Sequence, residues 1–301
     1  MLSAATAIAY AKATERDWCI DWRDGLYAPN GVNAVSNLFQ VSGQSDFSEL
    51  ITANDINPSI WRGREDWPVR QIISKDYPSA HSSPLIYRKV SAPIKEKPID
   101  GEVEVFWSYT SKYGRIRHYL TPAQKKLGRD SVLGHVLRAD LAPQARIVTA
   151  ADRLVSHGEG ATLGVHIRYT DLKVPIEKII ARVKRELKRF QYEHVFLATD
   201  SLYAEDLFRA EFSNIITQHR RYSETNNQLH SIEDYDDKIN DADSALIDMI
   251  ALSKCKGLVY CSRSTFAETS RLIGDFERKR LVDVDRYNLI VQLKKALQEY
   301  L

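Results

Sequence analysis

The stretch Gly164–Lys173, GVHIRYTDLK, ends an apolar run in His166, Arg168, Thr170, Asp171 and Lys173. A strand alternates its faces, so His166, Arg168 and Thr170 share one side and Val165 and Ile167 the other. Charged groups are seldom fully buried unless paired. Either this strand end is an ion-paired structure, Arg168 with Asp171 or Asp200, or it holds an anionic ligand. The planar, permanently charged Arg168 fork matches a phosphate.

Two other apolar runs end in polar groups. HVFLA is followed by Thr199, Asp200 and Ser201, and GLVYC by Ser262, Arg263, Ser264 and Thr265. Thr265-Phe-Ala-Glu268 has capping-box spacing, and the free amides of that helix start suit a phosphate as well as a cap. Together these groups could cradle a pyrophosphate without a Gly-rich loop. Asp248 lies on a small, apolar helix face beside Ser244, Ala245, Ala251 and Leu252. A carboxylate there needs donors. A backbone or Ser partner would serve, and so would the adjacent N1–H and N2–H₂ of guanine.

The pair Asp241-Ala-Asp243 has the spacing of a metal motif, yet it stands where a helix favours Asp as N-cap or first-turn residue. No metal is expected. An EF-hand is excluded by the missing Gly and terminal Glu. The sequence has no G-x-S-x-G, H-E-x-x-H, G-x-G-x-x-G or G-K-S/T pattern.

The elements that must position these groups alternate. Strands are expected at 162–169, 194–200, 214–218, 257–261 and 280–284. Helices are expected at 176–190, 202–210, 243–255, 265–274 (with Gly274 as C-cap) and 286–300, and a loop from His219 to Asp241. Such alternation predicts an α/β fold, a parallel sheet with helices on both faces, whose ligands sit beyond the strands' carboxyl ends. The polar clusters fall at three such ends. The first half reads as an Ala-rich helix at 2–13, a strand WCIDW at 18–22, a best strand VEVFWSY at 103–109, and helices at 122–138 and 142–156. The Gly-containing SHGEGA at 156–161 suggests a boundary between a domain of residues 1–157 and one of residues 158–301, whose last helix could return to the first.

The 301 residues carry 42 basic and 40 acidic side chains, a net charge of +2. That balance argues against a nucleic-acid binder. No apolar run is long enough to cross a membrane, and no signal peptide is read at the start. Cys19, Cys255 and Cys261 form no CxxC; a cytoplasmic location is expected.

Four segments resemble the α1,6-fucosyltransferase family, its rhizobial nodulation branch more than its animal core-fucosylating branch. They are AIAYAKATERDWCIDWRDGLY, GVHIRYTDLK, HVFLATDS, and LHSIEDYDDKINDADSALIDMIALSKC with STFAETSRL. The resemblance implies a GT-B-like architecture, two Rossmann-like domains facing across a cleft, the second for GDP-fucose and the first for the acceptor. It implies inverting, metal-independent transfer of fucose to a glycan acceptor hydroxyl, with no cofactor besides the donor. Carried over, Arg168 contacts the pyrophosphate, His166 and Asp248 lie at guanine, Ser264 and Thr265 near the β-phosphate, and Thr199 and Asp200 support the donor pocket. In RYTDLKVPIE, Glu177 is the candidate base, with Lys173 and Asp171 beside it; Glu177 also suits a helix first turn. Two features depart from the family. Tyr169 replaces a second Arg of the animal motif, and the chain opens at the Ala-rich helix, without the strand and Gly turn that precede it elsewhere. A transferase for another GDP-sugar, or a non-catalytic nucleotide-sugar-binding protein, would share most of these features.

Overall fold

A computed structural model of the chain describes residues 1–41, 55–78, 86, 88–94, 103–156, 160–169, 174–218, 222 and 237–300. It divides into two compact units, Met1–Ala142 with Leu293–Leu301, and Pro143–Gln292. The division falls one helix earlier than SHGEGA. The Ala145–Ser156 helix packs on the Lys238–Lys254 helix. Arg146 Nη2 donates to Asp243 Oδ1 (2.8 Å), and Lys254 Nζ meets Asp152 Oδ1 (2.6 Å).

In the first unit the Leu2–Ala13 helix forms as its composition predicts. The Pro122–Ala139 helix starts on a capping box between Thr121 and Gln124 with Pro122 in its first turn, and breaks at Gly128, whose φ of 83° suits glycine. The expected strand at 18–22 is not one; only Trp18 makes a bridge. The Asn33 side chain stands in for a neighbouring strand, accepting from Trp22 N (3.2 Å) and donating to Ile20 O (2.9 Å). The segment at 103–109 is strand only over Val103–Glu104 (β3), paired in parallel with Ile56–Asn57 (β2). A second short pair joins Phe39–Val41 (β1) to Leu141–Pro143 (β4), so the last helix before the sheet begins at Ala145 rather than 142. The end of the Leu289–Tyr300 helix belongs to this unit. Lys112 Nζ donates to Gln298 O (2.6 Å), Arg115 Nε to Tyr300 O (2.8 Å) and Arg129 Nε to Glu299 (2.8 Å). Cations at a helix C-terminus are favoured by its dipole.

The second unit is built on five parallel strands: Thr162–Ile167 (β5), His194–Thr199 (β6), Ile215–Ile216 (β7), Gly257–Tyr260 (β8) and Leu281–Asp283 (β9). Their order is β7-β6-β5-β8-β9. The chain runs outward from β5 to β7, then crosses back to β8, so the order reverses between β5 and β8. That is the switch point where α/β sheets open a crevice. β5 is buried throughout. Leu163, Val165 and Ile167 pack in a core with Ile176, Ile179 and Val183 of one helix and Ala204 and Phe208 of the next. On the other face Gly164 lets the Lys238–Lys254 helix approach: a Cβ there would lie 3.2 Å from Leu252 and Cys255. That helix starts earlier than 243, because Asp241 and its neighbours extend its first turn. Gly274 ends the Thr265–Ile273 helix in extended backbone (φ −74°). Glycine is required there by contact, since a Cβ would meet Ser253 O at 2.6 Å.

Candidate functional site

Strand β5 ends at Ile167, which leaves Arg168 and Tyr169 in the turn beyond the sheet rather than in the strand. Arg168 is partly exposed there. The next strand end holds this turn: Asp200 Oδ1 accepts the Tyr169 backbone N–H at 2.6 Å. Asp200 thus serves the backbone beside Arg168. Thr199 Oγ1 accepts from Ser201 N (3.3 Å), and Ser201 caps the Leu202–Glu211 helix through Ala204 N (3.4 Å). Thr199 and Ser201 shape the turn that presents Asp200.

Across the switch point lies the start of the Thr265–Ile273 helix. Its cap is Ser264, not Thr265: Ser264 Oγ accepts from Ala267 N at 3.4 Å. The Thr265–Glu268 capping box does not form. Glu268 turns to Arg271, which donates to both of its oxygens (3.0 and 2.9 Å). A buried carboxylate gains more from a bidentate guanidinium than from one amide. Thr265 becomes the first helical residue, and the Thr265 and Phe266 amides are among the donors a helix leaves at its start. Ser262 precedes them in the turn after β8, 5% of the residue exposed and its Oγ without a hydrogen-bond partner among the described residues.

The two edges meet through rings. His166 stacks on Phe266, centroids 5.1 Å apart and planes at 24°. The end of β5 and the first helical turn after β8 therefore lie together, as the strand-end pattern requires. Phe266 carries no signal in the sequence, because an aromatic in a first turn reads as ordinary core.

Two acids of the β9 end also escape a sequence reading. Asp283 Oδ1 accepts from Ser262 N (3.1 Å) and from Asp285 N (3.0 Å), and Asp285 Oδ2 accepts from Arg263 Nε (2.9 Å) and from the Cys261 thiol. Burial, with Asp285 beside it, pushes the Cys261 thiol up to about 12, so it stays protonated and inert. The D-x-D of VDVD, read with the strand end GLVYCSR, is the trace these contacts leave in the sequence.

Asp248 is wholly buried, 0% exposed, one helical turn below Ser244. Its donor is Gln218, just past β7. With the amide oriented so that nitrogen faces the two acceptors, it donates to Asp248 Oδ1 (3.0 Å) and Ser244 O (3.0 Å). Asp243 is held by Arg146, and no group of three or more potential metal ligands occurs among the described residues. Glu177 lies exposed in the first turn of the Ile176–Phe190 helix. Thr170, Asp171 and Lys173 lie outside the described residues. Among the described residues no helix is long and apolar enough to cross a membrane.

The fold is GT-B-like, as the match to solved NodZ structures shows. Residues 138–296 match the family model of Nodulation protein Z (NodZ), over half of the chain, and the chain belongs to that family. It is similar to a crystal structure of NodZ alpha-1,6-fucosyltransferase soaked with GDP-fucose, at 21% identity and a TM-score of 0.61, covering 94% of this chain and 90% of that one. It is similar to the same enzyme co-crystallised with GDP at 19% identity and a TM-score of 0.56, covering 90% and 86%. Fucosyltransferase NodZ from Bradyrhizobium matches at 18% identity and a TM-score of 0.56, covering 94% and 90%. Comparison with curated proteins gives no match.

Proposed function

We propose that this chain transfers fucose from GDP-fucose to a hydroxyl of an oligosaccharide acceptor, with inversion and without a metal ion, in the cytoplasm. The observation that carries the reading is the His166–Phe266 stack at the switch point of a NodZ-family sheet, which sets the Arg168 turn beside a helix N-terminus. Solved NodZ structures bearing GDP-fucose and GDP support the choice of donor.

Transfer passes through an oxocarbenium-like transition state, and the leaving GDP gains charge as its bond to the sugar breaks. In this reading Arg168 takes the pyrophosphate, and the Ser264 and Thr265 end of the helix takes the β-phosphate. Fixed donors aimed at developing charge do what a metal ion would otherwise do. Ser262 Oγ adds a donor at the same place. Asp248, buried under Gln218 in the free protein, accepts from the guanine edge in exchange for that amide, His166 belongs to the same base site, and Thr199 and Asp200 hold the turn. Glu177 removes the acceptor proton, with Lys173 as its partner and Asp171 in the same motif. An acid in a first turn is also a plain helix stabiliser, so Glu177→Gln separates the roles. A base loses turnover and keeps donor binding, whereas a stabiliser loses neither.

The test is incubation with GDP-fucose and a panel of glycan acceptors in EDTA. The expected product gains one fucose, and NMR of the new linkage reads α. A β linkage, or a requirement for divalent metal, contradicts the mechanism. Binding of GDP-fucose without its consumption contradicts the enzymatic reading.

A further inference from the structure

We infer that the outer face of the Ile176–Phe190 helix and the adjoining amino-terminal edge of the sheet form a docking surface for anionic lipid headgroups. The helix holds Lys178, Arg182, Lys184, Arg185, Lys188 and Arg189 against Glu177 and Glu186, a net of +4. The whole chain is +2, so everything else nets −2. The helix thus carries a local excess of positive charge, and a second basic run, Lys112–Arg129, lies in the first unit.

The helix cannot turn that charge inward. Its apolar side is already used, with Ile176, Ile179 and Val183 in the core. The one acid among the arginines is covered: Glu186 is 1% exposed, with Arg182 Nε at 3.0 Å, Arg185 Nε at 3.8 Å and Arg189 Nη1 at 3.9 Å. One buried carboxylate thus gathers three guanidiniums and leaves their excess charge facing water. The basic surface continues past the helix end. The guanidiniums of Arg189 (4.8 Å) and Arg280 (4.9 Å) both stand over the Phe190 ring, and Arg280 reaches Tyr192 Oη at 3.3 Å. Arg278 and Lys279 precede Arg280, and Tyr192 Oη donates to Lys256 O (3.5 Å), which sets Lys256 beside them.

Acids nearby are few or engaged. Glu211 pairs with Lys184, and Glu277 with Lys279 and Arg280; Glu177, Glu193 and Asp275 are exposed. Lys188, Lys256 and Arg278 are exposed and form no ion pair among the described residues.

The geometry favours a planar anionic partner over nucleic acid. Single strands need open aromatic faces for stacking, and the Phe190 ring is flanked by guanidiniums. A convex helix with cations on flexible stems needs only charge density within a Debye length, which an acidic leaflet supplies. The basic end of the helix, Lys184 to Arg189, lies at the amino edge of the sheet, the opposite end from Glu177 and the carboxyl-edge site, and the inference does not depend on the donor.

The experiment is co-sedimentation with phosphatidylcholine vesicles with and without phosphatidylglycerol, at low and physiological salt. The intact protein is compared with Lys188→Glu/Arg278→Glu and with a control double, Lys126→Glu/Lys294→Glu. Both pairs leave the Glu186 cluster intact, and thermal melts verify folding. Binding that requires phosphatidylglycerol, weakens with salt, falls at least about tenfold in the first double and holds in the control supports the surface. Equal loss in both doubles, or no preference for phosphatidylglycerol, overturns it. Heparin held as tightly as the acidic vesicles assigns the charge to soluble polyanions and also overturns it.

Discussion

The two edges of one five-stranded sheet are built on opposite terms. At the carboxyl edge many polar side chains are tied to backbone. Asp200 holds the Tyr169 amide, Asp283 the Ser262 and Asp285 amides, Ser264 and Ser201 cap helices, and Gln218 bridges Asp248 to Ser244. At the amino edge the charges stand out on long stems, and Lys188, Lys256 and Arg278 touch no acid among the described residues. The first edge fixes donors in place before any ligand arrives, which suits recognition of one small molecule. The second edge offers charge without fixed geometry, which suits a diffuse partner. Perturbing each edge should therefore fail differently.

After Arg168→Ala, the largest effect is expected from Asp248→Asn, which keeps shape and removes the charged acceptor. Calorimetry should show GDP affinity falling on the order of tenfold to a hundredfold, as for hydrogen bonds to charged groups. An unchanged affinity would detach Asp248 from the base. Next is Gly164→Val, which forces a side chain against Leu252 and Cys255, already 3.2 Å from a Cβ. Overpacking of this kind costs about 1–3 kcal/mol, read by urea unfolding. Ser264→Ala should cost about 1 kcal/mol as a lost cap and weaken GDP as well; loss of stability alone would confine Ser264 to capping. The smallest stability change is expected at the other edge: Lys188→Glu/Arg278→Glu should stay within about 0.5 kcal/mol of the parent for each site.

One pH-sensitive group lies at the carboxyl edge. Cys261 is raised from 9.0 to about 12 by burial and by Asp285. Between those values the folded state holds a proton that the unfolded state has lost, so its contribution to stability is full below pH 9 and is lost as pH rises toward 12. Cys261→Ala should flatten the stability profile in that window, and the intact fold should resist alkylation at pH 8.

The second unit could be read from sequence because its signals are local and repeated. The amphipathic run at 176–190 and the apolar runs at 162–167 and 194–199 each define one element, and right-handed crossovers arrange them. The strand ends that carry the candidate site were legible for the same reason. What escaped was side chains doing backbone work. Asn33 in place of a strand partner and Gln218 over Asp248 depend on groups further along the chain, and Ser264 displaces Thr265 as cap because Glu268 pairs with Arg271. No periodicity records them. The first unit was hard to read because its strands are two or three residues long, too short for alternation to show.

The central claim is that the carboxyl edge holds a guanosine diphosphate through Arg168 and the helix start. The most direct measurement is calorimetric titration of GDP, GDP-fucose and UDP in EDTA, with intact protein and with a folded Arg168→Ala variant. The account predicts tight GDP and GDP-fucose binding, much weaker UDP, and a loss on the order of 10²-fold or more in the variant. Equal binding of UDP, or GDP binding that Arg168→Ala leaves intact, would contradict it.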